Sequence, residues 1–358
     1  MILLTIIIFL VILLALVLVH EWGHFIVAKL IGCTVEEFGF GFPPRLFGIK
    51  WRGTLYSFNT LPIGGFVKIE GEDMQLENNS STNFANKSAW KRILVLAAGV
   101  TMNVILASVL LTFQGVVGVP TLVEDGNATQ LTNFKTYIVD VSPGSPAEQA
   151  GIKALDRVVV VNSKDNPSIT DIQKIVKEKA GQKISVEVDR QGQHQTLELM
   201  PRLNPPENEG ALGINLASTG LQRIPWWKAP WFGIKRTGDM LVAIVTQFWM
   251  LGQRLLAHQQ VGQALTGPIG IAVYTNEATK MGVSYVLEFA ALISLNLALV
   301  NILPLPALDG GRILFVVLEK IFRRRMPVKV EQIIHTVGFA LLILLMILIT
   351  IKDIRHYF

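Results

Sequence analysis

ILLTIIIFLVILLALVLVHEWGHFIVAKLI, residues 2–31, places two demands on one helix. From Ile2 to Val19 every residue is apolar except Thr5, a run suited to the roughly 30 Å hydrocarbon core of a bilayer. His20, Glu21 and His24 then fall in the last third of the same stretch. Two histidines four apart share one helix face, one turn from each other, so both imidazoles can reach a single ion. Zinc suits imidazole ligands, and a catalytic zinc site keeps one position open for water. Glu21 stands beside that position, where a carboxylate can take the water's proton. Ionisable groups inside a span cost on the order of 2.5–3.5 kcal/mol each and persist where they face a partner or a wet cavity. An inert, interfacial histidine pair needs neither this spacing nor the intervening glutamate. A secretory signal fits poorly, because the start carries no positive region and no small-residue cleavage site precedes His20.

Composition agrees with a membrane. The 358 residues are 51% hydrophobic and only 16% charged, with mean hydropathy +0.45, whereas soluble domains carry about a quarter charged residues. The lone cysteine, Cys33, excludes a disulfide framework and any cysteine-built metal site. The net charge of +5 comes from scattered basic residues, which suit membrane topology and give no nucleic-acid surface.

Further spans are expected over Ile93–Val119, Tyr285–Leu303 and Ile333–Ile351. Met240–Leu256 is interrupted by Gln247, Gly252, Gln253 and Arg254 and reads as an amphipathic helix at the interface, with Trp226, Trp227 and Trp231 before it. Arg312, Lys320, Arg323, Arg324, Arg325 and Lys329 make the loop after the third span cytoplasmic by the positive-inside rule. Alternation then puts residues 32–92 in the cytoplasm, and both termini and residues 121–220 outside. Four regions result: 1–120 with two spans, the histidine motif and a cytoplasmic β-loop; 121–222, an outer α/β domain; 223–284, an amphipathic membrane-interface linker; and 285–358 with the last two spans.

In the outer region Tyr137–Val141, Arg157–Val161 and Ile184–Val188 read as strands, and Ser168–Ala180 as a helix capped by Ser168 or Thr170. In the cytoplasmic loop, Phe38–Phe42, Leu55–Leu61 and Phe66–Ile69 read as strands around glycine turns. Gly99 and Asn103, four apart on the second span, are expected chiefly to pack helices.

A catalytic zinc normally has three protein ligands. His194 and His258 are assigned outside, and His335 and His356 to span four, so none of them is placed to be the third. Asp309 is better placed. It lies in NILPLPALDGG, residues 301–311, where Pro304 and Pro306 break the third span and Gly310 and Gly311 permit a tight turn. The alternatives are Asp309 as the cap of a helix beginning near Gly310 and Glu288 as a rival ligand.

HEWGH in the first span, AAGVTMN in the second (residues 97–103), PIGGFVK (62–68), LTGPIGIA (265–272) and NILPLPALDGG after the third resemble the site-2 protease family of intramembrane metalloproteases. SPGSPAEQAGI and DRVVVVN (142–152 and 156–162) resemble a bacterial PDZ domain, which points to members of the regulator-of-sigma-E-protease type. One departure is Leu155, where such domains usually have glycine before the aspartate. The resemblance implies a four-helix polytopic membrane protein with a membrane-associated β-hairpin and one extracytoplasmic PDZ-like domain, in the bacterial inner membrane. It implies one Zn2+ held by His20, His24 and Asp309, Glu21 as general base, and substrate backbone met by Asn301 and by an edge strand around Gly64 and Gly65. The implied substrates are single-pass membrane proteins already cut outside by another protease, such as anti-sigma factors, or remnant signal peptides. Two other classes compete: a membrane metal-ion carrier using the same three ligands, and a non-catalytic PDZ adaptor.

Overall fold

The structure, a computed structural model, describes residues 2–72, 80–122, 131–190, 192–206, 209–257, 267–324 and 326–357. Helix α1 (Ile2–Leu30) leads into the long strands β1 (Val35–Trp51) and β2 (Thr54–Ile69), followed by α2 (Ala89–Val117). An α/β segment follows: β3 (Val119–Leu122), β4 (Leu131–Val141), α3 (Pro146–Gln149), β5 (Arg157–Val161), β6 (Lys164–Asp165), α4 (Ile169–Glu178), β7 (Ile184–Arg190), β8 (Gln193–Leu199) and β9 (Ile214–Gln222). The chain closes with α5 (Ala229–Leu256), α6 (Pro268–Met281), α7 (Val283–Ile302), α8 (Asp309–Phe322) and α9 (Val328–Tyr357). Two compact units result, Met1–Gln114 with Trp227–Phe358, and Gly115–Trp226.

In the first unit α1, α2, α7 and α9 are long and apolar enough to cross a membrane. The amphipathic helix expected from Met240 begins earlier, at Ala229, and α5 packs closely on α2. A Cβ at Gly233 would lie 2.2 Å from Thr112 Oγ1, and Ser108 Oγ donates to Thr237 Oγ1 at 3.0 Å. Helix α6 carries no periodic signal strong enough to be read from the sequence. Its start is held by Asp353 of α9, whose Oδ2 accepts from the amides of Gly267 and Gly270, both at 2.9 Å.

Strand β2 folds back around β1. Phe38 is opposite both Tyr56 and Val67, and Phe40 is opposite both Phe58 and Gly65. The stretch from Gly65 to Ile69 therefore has β1 on one side and no strand on the other among the described residues. The far end of β1 exposes Leu46, Phe47, Ile49 and Trp51.

The second unit is a sheet in the order β3-β9-β4-β5-β7-β8, with β6 on β5. Ile138, Val158, Val161, Ile172, Ile184 and Val188 form its core with neighbours from α3 and α4. Helix α4 starts with a capping box between Ser168 and Asp171. Leu155, the departure from glycine noted above, adopts φ +71°, so the turn keeps a left-handed geometry at a cost of roughly 1–2 kcal/mol. Behind it Asp156 is buried. Its two oxygens accept from Arg190 Nε and Nη2 at 2.7 and 2.6 Å, and Oδ2 also accepts from the Lys153 amide.

Burial alone would raise the pKa of Asp156, but the Arg190 guanidinium and the Lys153 amide hold it below the ordinary carboxylate value. Lys164 and Ser168 likewise lower Asp171, to about 2. Both pKa values are depressed on folding, so their stabilisation is present above the unfolded value of about 3.9 and is lost as pH falls towards the folded values. Hydrogen exchange of β5 and β7 amides, corrected for intrinsic rate, should show protection falling between about pH 4 and 2. Asp156→Asn should lower the opening free energy at neutral pH by about 1–3 kcal/mol and flatten that dependence.

Candidate metal centre

An unbroken helical α1 puts His20 and His24 on one face, and both are buried. Their Nε2 atoms lie 3.2 Å apart. Asp309 arrives from the far end of the sequence as the first residue of α8, and its Oδ2 lies 3.0 Å from His20 Nε2 and 3.4 Å from His24 Nε2. Among the described residues these are the three side chains grouped closely enough to hold a metal ion. Tetrahedral bonds of about 2.0–2.2 Å separate ligand atoms by about 3.3–3.6 Å, close to the spacing here.

The second ring nitrogens strengthen that fit. His24 Nδ1 lies 2.8 Å from the carbonyl of Val95, which can only accept, so in the neutral ring this nitrogen carries the hydrogen and Nε2 is a bare lone pair. His20 Nδ1 faces the amide of buried Asn103, with Nδ2 at 3.3 Å, while Asn103 Oδ1 is left buried without a partner. Exchanging the near-isosteric oxygen and nitrogen of that amide satisfies Oδ1 with the His20 N–H and bares His20 Nε2. Two lone pairs and a carboxylate oxygen then converge. A cation is what reconciles them.

Glycine makes the approach possible. A Cβ on Gly99 would lie 2.4 Å from His24 Nε2 and 2.7 Å from His20 Nε2, and one on Gly23 would lie 2.5 Å from the Ala98 carbonyl. Helix α2 is thus the wall against which both imidazoles rest. Gly99 and Asn103, expected chiefly to pack helices, border the centre. Their spacing carried the signal, but an asparagine that packs and one that orients a ligand look the same in a single sequence.

The other predicted positions divide clearly. Asn301, near the end of α7, brings Nδ2 to 3.4 Å from His20 Nε2. Gly64 and Gly65 lie along α1 just before His20, since added Cβ atoms would sit 3.6 Å from Val17 and 2.8 Å from Leu18. Glu21 is half-buried, and no hydrogen bond or ion pair of its carboxylate occurs among the described residues. Glu288, the rival ligand, is instead bound to Arg236 Nη2 at 3.0 Å and Gln114 Nε2 at 3.1 Å. Asp309 does not act as a helix cap, because Leu308 holds the cap position and no side chain bonds there. His194 pairs with Glu187 in the second unit. His258 and Arg325 lie outside the described residues, as does the side chain of His356. His335 was set aside as remote from the centre, yet its Nδ1 accepts from the amide of Ala307, two residues before Asp309.

The sequence profile of peptidase family M50 matches residues 8–345. A Clostridium perfringens protein is 35% identical over 341 residues, covering 95% of each chain. Zinc metalloprotease RasP of Oceanobacillus iheyensis is 30% identical over 427 residues, covering 96% of this chain and 97% of the relative. Regulator of sigma-W protease RasP of Bacillus subtilis is 29% identical over 434 residues, covering 99% of each. The zinc that such relatives imply suits two imidazoles and a carboxylate.

Gly99→Ala, which drives a methyl group into both rings, should leave the purified protein largely without zinc by elemental analysis. Asn103→Leu, which removes the outer partner of His20, should weaken zinc binding by about 10–100-fold in competition with a chelator.

Proposed function

Since this chain belongs to peptidase family M50 and is a zinc metalloprotease, we propose that it cleaves peptide bonds within, or at the edge of, the transmembrane segments of single-pass membrane proteins. Its four long apolar helices fit a membrane protein of that family. The observation that carries the reading is the meeting of His20, His24 and Asp309, 289 residues apart in sequence at the His20–Asp309 contact, beside a helix otherwise built for hydrocarbon.

His20 and His24 through Nε2, and Asp309 through its carboxylate, would hold the ion. A zinc ion there supplies Lewis acidity, making a water acidic enough to be deprotonated near neutral pH and stabilising charge that develops on the scissile carbonyl oxygen. Glu21 takes the proton of the attacking water and delivers it to the leaving amide nitrogen, which departs as an amine. Its freedom from other partners among the described residues suits a group that must exchange a proton. Asn301 meets the substrate backbone beside His20.

A transmembrane helix keeps its amides in internal hydrogen bonds, so it must unwind before water can reach a carbonyl. The open edge from Gly65 to Ile69, lying against α1 one turn before the histidines, offers replacement backbone partners by strand addition. In this reading residues 1–120 carry the first two spans and the β-loop, 223–284 link at the membrane interface, and 285–358 carry the last two spans. Residues 121–222 form a PDZ-like domain that lies outside with both termini and admits substrates whose outer part has already been removed. Anti-sigma factors fit that description, in keeping with the name regulator of sigma-W protease borne by the Bacillus subtilis relative.

The test is cleavage of a truncated single-pass substrate by purified protein in detergent. Glu21→Gln should lower the rate by about 10²–10⁴-fold while zinc stays equimolar, and Asp309→Ala should lose the zinc. Cleavage at the parental rate by Glu21→Gln would remove the mechanism.

A further inference from the structure

Between α7 and α8 the chain reverses through residues 303–308, and this turn is held from two sides. Gly310 and Gly311 press against carbonyls inside it, since added Cβ atoms would lie 2.2 Å from the oxygens of Ile302 and Leu305 respectively. Helix α9 closes the other side. A Cβ at Gly338 would lie 2.3 Å from Pro306 Cβ, and one turn earlier the imidazole of His335 reaches the amide of Ala307 at 2.8 Å. Ala307 has φ +72°, a conformation that residues with a Cβ rarely adopt. Such a residue persists where its surroundings over-determine it, and such clamped turns cluster at functional sites.

Because Nδ1 accepts from an amide, the hydrogen of the neutral ring sits on Nε2, which is buried and has no hydrogen-bond partner among the described residues, with Glu331 Oε1 3.9 Å away one turn back on the same helix. The ring also stands edge-on to Phe315 of α8, with centroids 5.3 Å apart. His335 thus touches both the turn before Asp309 and the helix that Asp309 begins. It touches neither His20 nor His24.

We propose that His335 is a positioning residue for the metal centre: its Nδ1 holds the Ala307 amide, and through that turn aims the Asp309 carboxylate at the two imidazoles. The inference rests on the reading of Asp309 as a ligand. It predicts that the ligand whose helix follows a turn depends on a second helix that supplies no ligand of its own.

The full-length protein, loaded with zinc in detergent, would be mixed with excess chelator and zinc release followed with time. kcat and KM on the truncated substrate, and the thermal midpoint of the zinc-free protein, would be measured alongside. His335→Leu should speed zinc release about 10–100-fold and lower kcat with KM little changed, while the zinc-free midpoint stays near the parental value. His335→Asn places an acceptor oxygen near the Nδ1 position and should restore most of the parental half-life. Gly338→Ala, which pushes the same turn through Pro306 with the imidazole intact, should also speed release. Parental release rates in His335→Leu or in Gly338→Ala overturn the proposal, as does an Asn variant no better than the Leu variant. Failure of the underlying reading looks different: Asp309→Ala would then keep its zinc.

Discussion

Two imidazole Nε2 atoms and a carboxylate oxygen, held within 3.4 Å of one another at an apolar helix, are the constraint that the rest of the first unit serves. With both nitrogens bare and no cation, lone pairs at this distance repel, and a hydrogen on one nitrogen relieves that only in part. With a cation the same arrangement becomes favourable, because burial strengthens attraction as much as it penalises isolation. The surrounding helices must therefore keep the two rings from turning away. They do so by occupying the second nitrogen of each ring, with the Val95 carbonyl for His24 and Asn103 for His20.

Helix α2 supplies both of those partners and also the empty space in front of the rings. Gly99 lets its backbone come within a Cβ's reach of both imidazoles, and Gly23 on α1 lets the same helix pair approach from the other side. Asn103 is in turn fixed through its own carbonyl, which accepts from Ser294 of α7 at 2.8 Å. At the other end of α2, buried Arg92 pairs with Glu319 of α8 at 2.6 Å, and Arg312 of α8 pairs with Glu72 just beyond β2. Helix α8 is therefore tied to the helix that backs the rings and to the strand that lies along α1.

The parts of this arrangement that the sequence displayed are those governed by local spacing. The i, i+4 histidines need only a helix to meet, and the four apolar runs need only their length. Asp309 was legible because prolines and glycines around it break a span at a place where a broken span needs a reason. What stayed hidden depends on contacts far apart in sequence. The bond from His335 to Ala307 joins positions 28 apart across two helices, and a histidine eight residues into α9 looks like any polar residue near the end of a span. Helix α6 was missed because its amphipathic pattern is weak and its start is fixed by Asp353, 83 residues beyond Gly270. Leu155 shows the opposite failure. The family's usual glycine is missing, yet the leucine in its place adopts a left-handed conformation.

The division of labour among the ligands follows from the same geometry. His20 and His24 share one rigid helix, so their separation is set by the helical repeat and by the wall of α2. Asp309 begins a different helix after a turn with one residue at positive φ, and its position is the sum of several contacts rather than the product of one element. The proposed centre thus takes two of its groups, and Glu21, from one helix and its third group from another. The strand edge from Gly65 to Ile69 begins against Leu18 of α1, so the strand proposed to receive substrate and the group proposed to transfer protons meet on one helix, while Asn301 comes from α7. The carboxylate is placed by α8 and by the turn that α9 holds through His335, and in the proposed reading neither helix carries a residue assigned to substrate.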